Sequence, residues 1–199
     1  MEQRQVFESL RARESGAAKP WQARHDVQFY DDDSRLARSV ADFLAEGIKS
    51  AQPAIVIATP AHIRAIKEEL RQCGVDVDGA GPNDMIWLDA HETLSAFMEG
   101  GRPSRELFDA TVGNVFEKVT SARRYVTVRA FGEMVDILWR DGKPQAAIEL
   151  EEIWNALAAR YAFALLCAYS TKSLDPTDMA GIERICSVHS QVLPSRPAA

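Results

Sequence analysis

The sequence predicts an α/β fold: a mostly parallel sheet of about five or more strands, in three layers with helices on both faces. Three observations carry this reading. From residue 25 onward, short apolar runs alternate with stretches of helical periodicity, the order that builds βαβ units. The run Ala54-Ile55-Val56-Ile57-Ala58 is apolar at every position, as in a strand covered on both faces. A further run, Tyr125-Val126-Thr127-Val128, ends in Arg129, Gly132 and Glu133, and polar groups at the C-terminal ends of such strands are where α/β proteins bind ligands.

Taken in order, residues 1–24 form a polar lead-in with a short helix expected around Val6 to Leu10. The domain is expected over residues 25–190, followed by a flexible tail at 191–199. Asp26 to Tyr30 alternates polar and apolar side chains, a strand pattern. Asp31-Asp32-Asp33-Ser34 offers caps to a helix carrying Leu36, Val40, Phe43, Leu44 and Ile48 at helical spacing. A solvated helix start explains these aspartates better than a metal site. Strand Ala54–Ala58 is closed by Thr59-Pro60, which starts a helix with Ile63, Ile66 and Leu70.

Met85 to Leu88 reads as a strand ended by Asp89. Leu94, Phe97 and Met98 belong to a short helix stopped by Gly100-Gly101. Ser104 opens the next helix, with Leu107, Phe108, Val112, Val115, Phe116 and Val119 turned inward. The strand from Tyr125 to Arg129 leads into a helix through Met134, Ile137 and Leu138. A long helix spans Pro144 to Arg160, a strand Ala162 to Tyr169, and Pro176 starts a last helix bearing Met179, Ile182, Ile185 and Cys186.

Composition narrows the function classes. The 199 residues are 46% hydrophobic and 26% charged, an ordinary globular mixture. The formal net charge of −6 argues against a nucleic-acid surface, which needs a clustered basic patch. Three widely spaced cysteines make neither a disulfide scaffold nor a zinc motif, and Cys167 reads as a small buried hydrophobe. His25, His62, His91 and His189 are scattered, so no metal or cofactor site is expected. No apolar stretch reaches the length of a membrane span and the charged N-terminus lacks a signal-peptide core, so a cytoplasmic location is expected.

Motifs for catalysis are missing. After Ala54–Ala58 a nucleotide hydrolase of this layout would carry GxxxxGK[ST]; the chain reads Thr59-Pro60-Ala61-His62-Ile63-Arg64. Gly132 stands alone, so there is no GxGxxG, and no GxSxG elbow occurs. What remains is a set of candidate ligand contacts: Thr59, His62, Asp89, Arg129, Glu133, Glu151 and Trp154. Each has a structural alternative. Thr59 caps a helix, Asp89 caps the helix containing Leu94, and Arg129 pairs with Glu133 or Glu151. Trp154 fits a core better than a ligand platform.

Six ordered segments, His25-Asp-Val-Gln-Phe-Tyr30, Ile55-Val-Ile-Ala-Thr-Pro60, Leu88-Asp-Ala90 with Glu92-Thr-Leu94, Arg129-Ala-Phe-Gly-Glu-Met-Val135, Leu150-Glu-Glu-Ile-Trp-Asn155 and Leu165-Leu-Cys-Ala-Tyr169, resemble the MEDS family. That sensory domain is named from methanogens, methylotrophs and a dichloromethane-responsive regulator. The resemblance covers about His25 to Pro194. It implies a RecA-like (Rossmann-like) fold that has lost its phosphate loop, and a role in bacterial signal transduction proposed to be the sensing of small hydrocarbon derivatives. It supplies no settled catalytic residues.

A non-catalytic sensory domain is therefore expected, binding a small molecule at the strand ends and signalling through a protein partner, such as a histidine kinase or transcriptional regulator, or through a homo-oligomer. A degenerate nucleotide-binding module and a pure protein-interaction module are the competing readings.

Overall fold

The computed structural model describes residues 24–81, 84–121, 126–175 and 177–194. The expected helix around Val6, the strand start at Tyr125 and the helix-opening Pro176 lie outside the described residues. Six strands form one parallel sheet: β1 (Arg24–Tyr30), β2 (Ala54–Ala58), β3 (Met85–Asp89), β6 (Val128–Gly132), β7 (Phe163–Ser170) and β8 (Gln191–Leu193), in the order β3-β2-β6-β7-β1-β8. A small antiparallel hairpin pairs β4 (Met98–Glu99) with β5 (Arg102–Pro103).

Each strand divides its side chains between two cores, as a period of two requires. Val27, Phe29, Ile55, Ile57, Val128, Ala130, Leu165, Cys167 and Tyr169 face one way. Tyr30, Ala54, Val56, Ala58, Phe131, Leu166 and Ala168 face the other. The second core is closed by α1 (Asp33–Lys49) and α2 (Pro60–Gln72), through Leu36, Val40, Leu44, Ile66 and Leu70. The first is closed by α3 (Ala90–Ser95), α4 (Arg105–Phe108), a π-helical turn (Asp109–Gly113), α5 (Asn114–Thr120), α6 (Met134–Arg140), α7 (Pro144–Leu157) and α8 (Met179–Ser187). The three-layer α/β fold expected from the sequence is the one observed.

Several elements differ from expectation for local reasons. Met98 does not extend a helix. Gly100 and Gly101, both at positive φ (56° and 83°), close a two-residue hairpin, the turn such backbone angles favour. Gln191–Leu193 lie in the expected tail yet pair in parallel with Asp26–Gln28; three residues are too few to show a strand periodicity. Strand β6 continues to Gly132, so Arg129 is its second residue rather than its end.

The strand ends also decide where the chain crosses from face to face. The chain leaves β1 and β2 into α1 and α2 on one face, and leaves β6 and β7 into α6 and α8 on the other. In open α/β sheets, ligand sites occur where neighbouring strands send the chain to opposite faces at their C-terminal ends. The pairs β2/β6 and β1/β7 both do so.

Candidate functional site

The residues at the end of β2 come first. Thr59 has extended backbone and caps α2, its hydroxyl accepting from the His62 amide at 3.5 Å. With Pro60 supplying a fixed φ at the helix start, the chain turns sharply and holds His62 in the first turn. On the neighbouring strand, Glu133 follows β6 directly and its carboxylate is fully buried. One carboxylate oxygen accepts from the Thr59 amide and the other partners His62 Nδ1. The Glu133 amide is held by the Ile57 carbonyl at 3.1 Å.

His62 thus turns Nδ1 inward, and its side chain is 11% exposed. Its Nε2 lies 3.7 Å from Asp33 at the start of α1, whose side chain is 72% exposed. The Glu133 carboxylate beside it raises the affinity of His62 for a proton above that of ordinary histidine, against the opposing effect of burial. A protonated His62 between Glu133 and Asp33 is a buried ion pair with one open end.

The neighbouring strand pair β1/β7 adds a second polar group. Asp136, on the first turn of α6, is fully buried. It accepts from the Tyr30 hydroxyl at 3.1 Å, the Ser170 amide at 3.0 Å and the Ser173 hydroxyl at 3.3 Å, and pairs with Arg140 at 3.2 Å. Burial pushes its carboxyl group up despite the Ser170 amide and Arg140. Burial and the two carboxylates push the Tyr30 phenol far up as well, so it stays a neutral donor. Its ring stands edge-on to His62, with centroids 6.2 Å apart, which joins the two groups.

Of the residues expected to line a pocket, Thr59, His62 and Glu133 do meet. Asp89 ends β3, paired in register with Ala58, and its carboxylate caps α3 through the His91 and Glu92 amides at 2.8 and 3.1 Å. Arg129 sits opposite Ala54, at the beginning of β2, so it belongs to the other end of the sheet. Its partners are neither Glu133 nor Glu151 but Gln52 at 2.8 Å and Glu46 at 3.2 Å. The error followed from ending the strand too early. Trp154 is enclosed by Phe108, Phe116 and Phe163 in the core.

Glu151 is also away from the strand ends, in a second buried cluster. Its carboxylate lies 3.1 Å from His25 Nε2, 3.3 Å from His189 Nε2 and 3.4 Å from the Cys167 thiol, and accepts from the Tyr169 hydroxyl at 2.9 Å. Sequence reasoning missed this group because its members stand at 25, 151, 167 and 189, with no short spacing to mark them. Asp136 was missed although an aspartate among the apolar positions of α6 was a visible signal.

Residues 24–190 match the family model described as MEDS, the MEthanogen/methylotroph, DcmR Sensory domain. Among solved structures, the chain is similar to a protein of Pyrococcus horikoshii OT3. The TM-score is 0.54 at 10% identity, over 87% of this chain and 82% of that one, a likeness of fold. No curated protein sequence matches significantly. Among the described residues no helix is long and apolar enough to cross a membrane.

Proposed function

The chain belongs to the MEDS family of sensory domains, and from that premise we propose that it is a non-catalytic regulatory domain. In this reading it binds a small molecule at the crevice between β2 and β6 and signals, in the cytoplasm, through a protein partner such as a histidine kinase or transcriptional regulator. The observation that carries the reading is the fully buried Glu133 carboxylate, shared between the Thr59 amide and His62. A fully buried carboxylate paired with a histidine whose side chain is only 11% exposed is costly to keep in a purely structural role, and it lies where α/β folds take ligands.

Charge at the rim indicates which ligands suit it. Asp31, Asp32 and Asp33 are all exposed at the start of α1, and Asp32 already occupies the Arg35 amide at 3.0 Å. A helix start that would otherwise attract an anion is here acidic. The crevice therefore suits a neutral or cationic small molecule carrying a hydrogen-bond donor, and the nucleotide-binding alternative is disfavoured on the same ground. Binding would shift the helix starts at Thr59 and Glu133 only if their two arrangements differ in affinity for the ligand.

A thermal-shift screen tests this. Wild-type protein is compared with Glu133→Gln and His62→Gln against neutral, cationic, one-carbon and halogenated metabolites, and against nucleotides with magnesium. Ligand that binds the folded state raises the melting temperature saturably. A shift lost in both variants supports the site, whereas a nucleotide shift would revive the degenerate nucleotide-binding reading. Silence across the panel favours a pure protein-interaction module.

A further inference from the structure

We infer that His25, Glu151, Cys167 and His189 form a closed, four-coordinate site for a Zn²⁺-class divalent cation inside the domain. The four residues come from β1, α7, β7 and the turn after α8, and their donor atoms all lie within 4.8 Å of one another. The closest pairs are separated by 3.1–3.4 Å: His25 Nε2 to Glu151, His189 Nε2 to Glu151, Cys167 Sγ to Glu151 and His25 Nε2 to Cys167 Sγ at 3.3 Å. A tetrahedral ion with arms of about 2.0–2.3 Å has ligand–ligand edges of about 3.3–3.8 Å. The spacing fits with small movements.

The outer partners decide which atoms face inward. His25 Nδ1 lies 2.9 Å from Asn155 Oδ1, while Asn155 Nδ2 donates to the Val188 carbonyl at 2.9 Å. The amide is thereby oriented, and His25 Nδ1 must carry the hydrogen. His189 Nδ1 faces the Ile185 carbonyl at 2.6 Å, which can only accept. Both imidazoles in their neutral form therefore aim a bare Nε2 at the carboxylate. Acceptors placed against the outer ring nitrogen in this way are what fix histidine tautomers at metal centres.

Lone pairs facing lone pairs need a positive charge between them. His189 Nε2 is fully buried, with side-chain exposure of 0%, and makes no hydrogen bond. A divalent ion with one carboxylate and one thiolate gives an electrically neutral centre, which lowers the desolvation cost of burying it. All four groups are enclosed, and closed four-ligand sites are structural rather than catalytic. The ion would tie both ends of the chain's order, β1 and the α8–β8 turn, to the sheet interior. The competing occupant is a proton held on His189.

Tag-free full-length protein is stripped of metal by chelator and titrated with Co²⁺, which reports thiolate ligation by a near-ultraviolet charge-transfer band and tetrahedral geometry by visible d–d bands. The expected result is one Co²⁺ per chain, displaced by Zn²⁺, with a raised melting temperature. Cys167→Ala should lose the charge-transfer band, His189→Gln should weaken uptake strongly, and Asn155→Ala should weaken it about 10–100-fold. His91→Gln, altering an exposed histidine, should change nothing. Failure to take up one Co²⁺ with that band overturns the assignment, as does a band that survives in Cys167→Ala.

Discussion

At the scale of single residues, Arg129 and His62 show how environment decides the role of a charge. The aliphatic stem of Arg129 lies against Gly47, where a side chain would collide with it, and its guanidinium sits 5.0 Å from the Phe43 ring centre. Glu46, its acidic partner, is 73% exposed, so removing the arginine strands no buried carboxylate. Arg129→Ala should cost about 1–2 kcal/mol, from lost packing and the Gln52 hydrogen bond, and leave ligand-induced thermal shifts intact. Denaturant unfolding measures the first part and the screen the second.

His62 leads to a pH prediction. Its proton is held more tightly in the folded chain than in the unfolded one, so the stabilisation is fully present below the unfolded value of about 6.5. It is lost as pH rises through the higher folded value. Melting temperature should therefore fall as pH increases above neutrality, and Glu133→Gln should flatten that slope. An equal slope in the variant would assign the pH dependence to other groups.

At the scale of elements, the helix expected from Ser104 is interrupted by the π turn Asp109–Gly113. The Thr111 hydroxyl bonds back to the Leu107 and Phe108 carbonyls at 2.8 and 3.1 Å, inside the segment where the spacing widens. The turn keeps Phe108, Val112, Phe116 and Val119 all on the core side. Gly113 itself has ordinary helical angles (φ −57°), and an added Cβ would meet Asp109 at 3.5 Å, a normal contact. Gly113→Ala should therefore stabilise the protein by about 0.4–1 kcal/mol through the unfolded chain. A fall in stability would mean that the π turn needs the glycine for flexibility.

At the scale of the whole molecule, β8 completes one edge of the sheet. It covers β1, where Asp26 is fully buried and takes a hydrogen bond from Gln191 at 3.2 Å. Val192 and Leu193 are half-buried beside it. Removing residues 191 onward should cost about 2 kcal/mol from the lost apolar burial. It should also leave β1 as an open edge prone to pairing with another chain. Thermal melts and light scattering against concentration read the two effects; a stable, monodisperse truncation would show that β8 is dispensable.

The sequence by itself determined the α/β order, the buried strand Ala54–Ala58, the caps at Thr59 and Asp89 and the burial of Trp154. These rest on local periodicity and capping chemistry, which neighbours along the chain specify. It also marked Thr59, His62 and Glu133, because polar groups after buried strands have few packing uses. Only the tertiary structure decided that Glu133 meets His62, that Arg129 points to the opposite end of the sheet, and that His25, Glu151, Cys167 and His189 converge. Those contacts depend on strand order and on a register in which one residue changes which end, or which face, a side chain serves. Crossover connections bring residues more than a hundred positions apart into contact, and no local pattern along the chain encodes that approach.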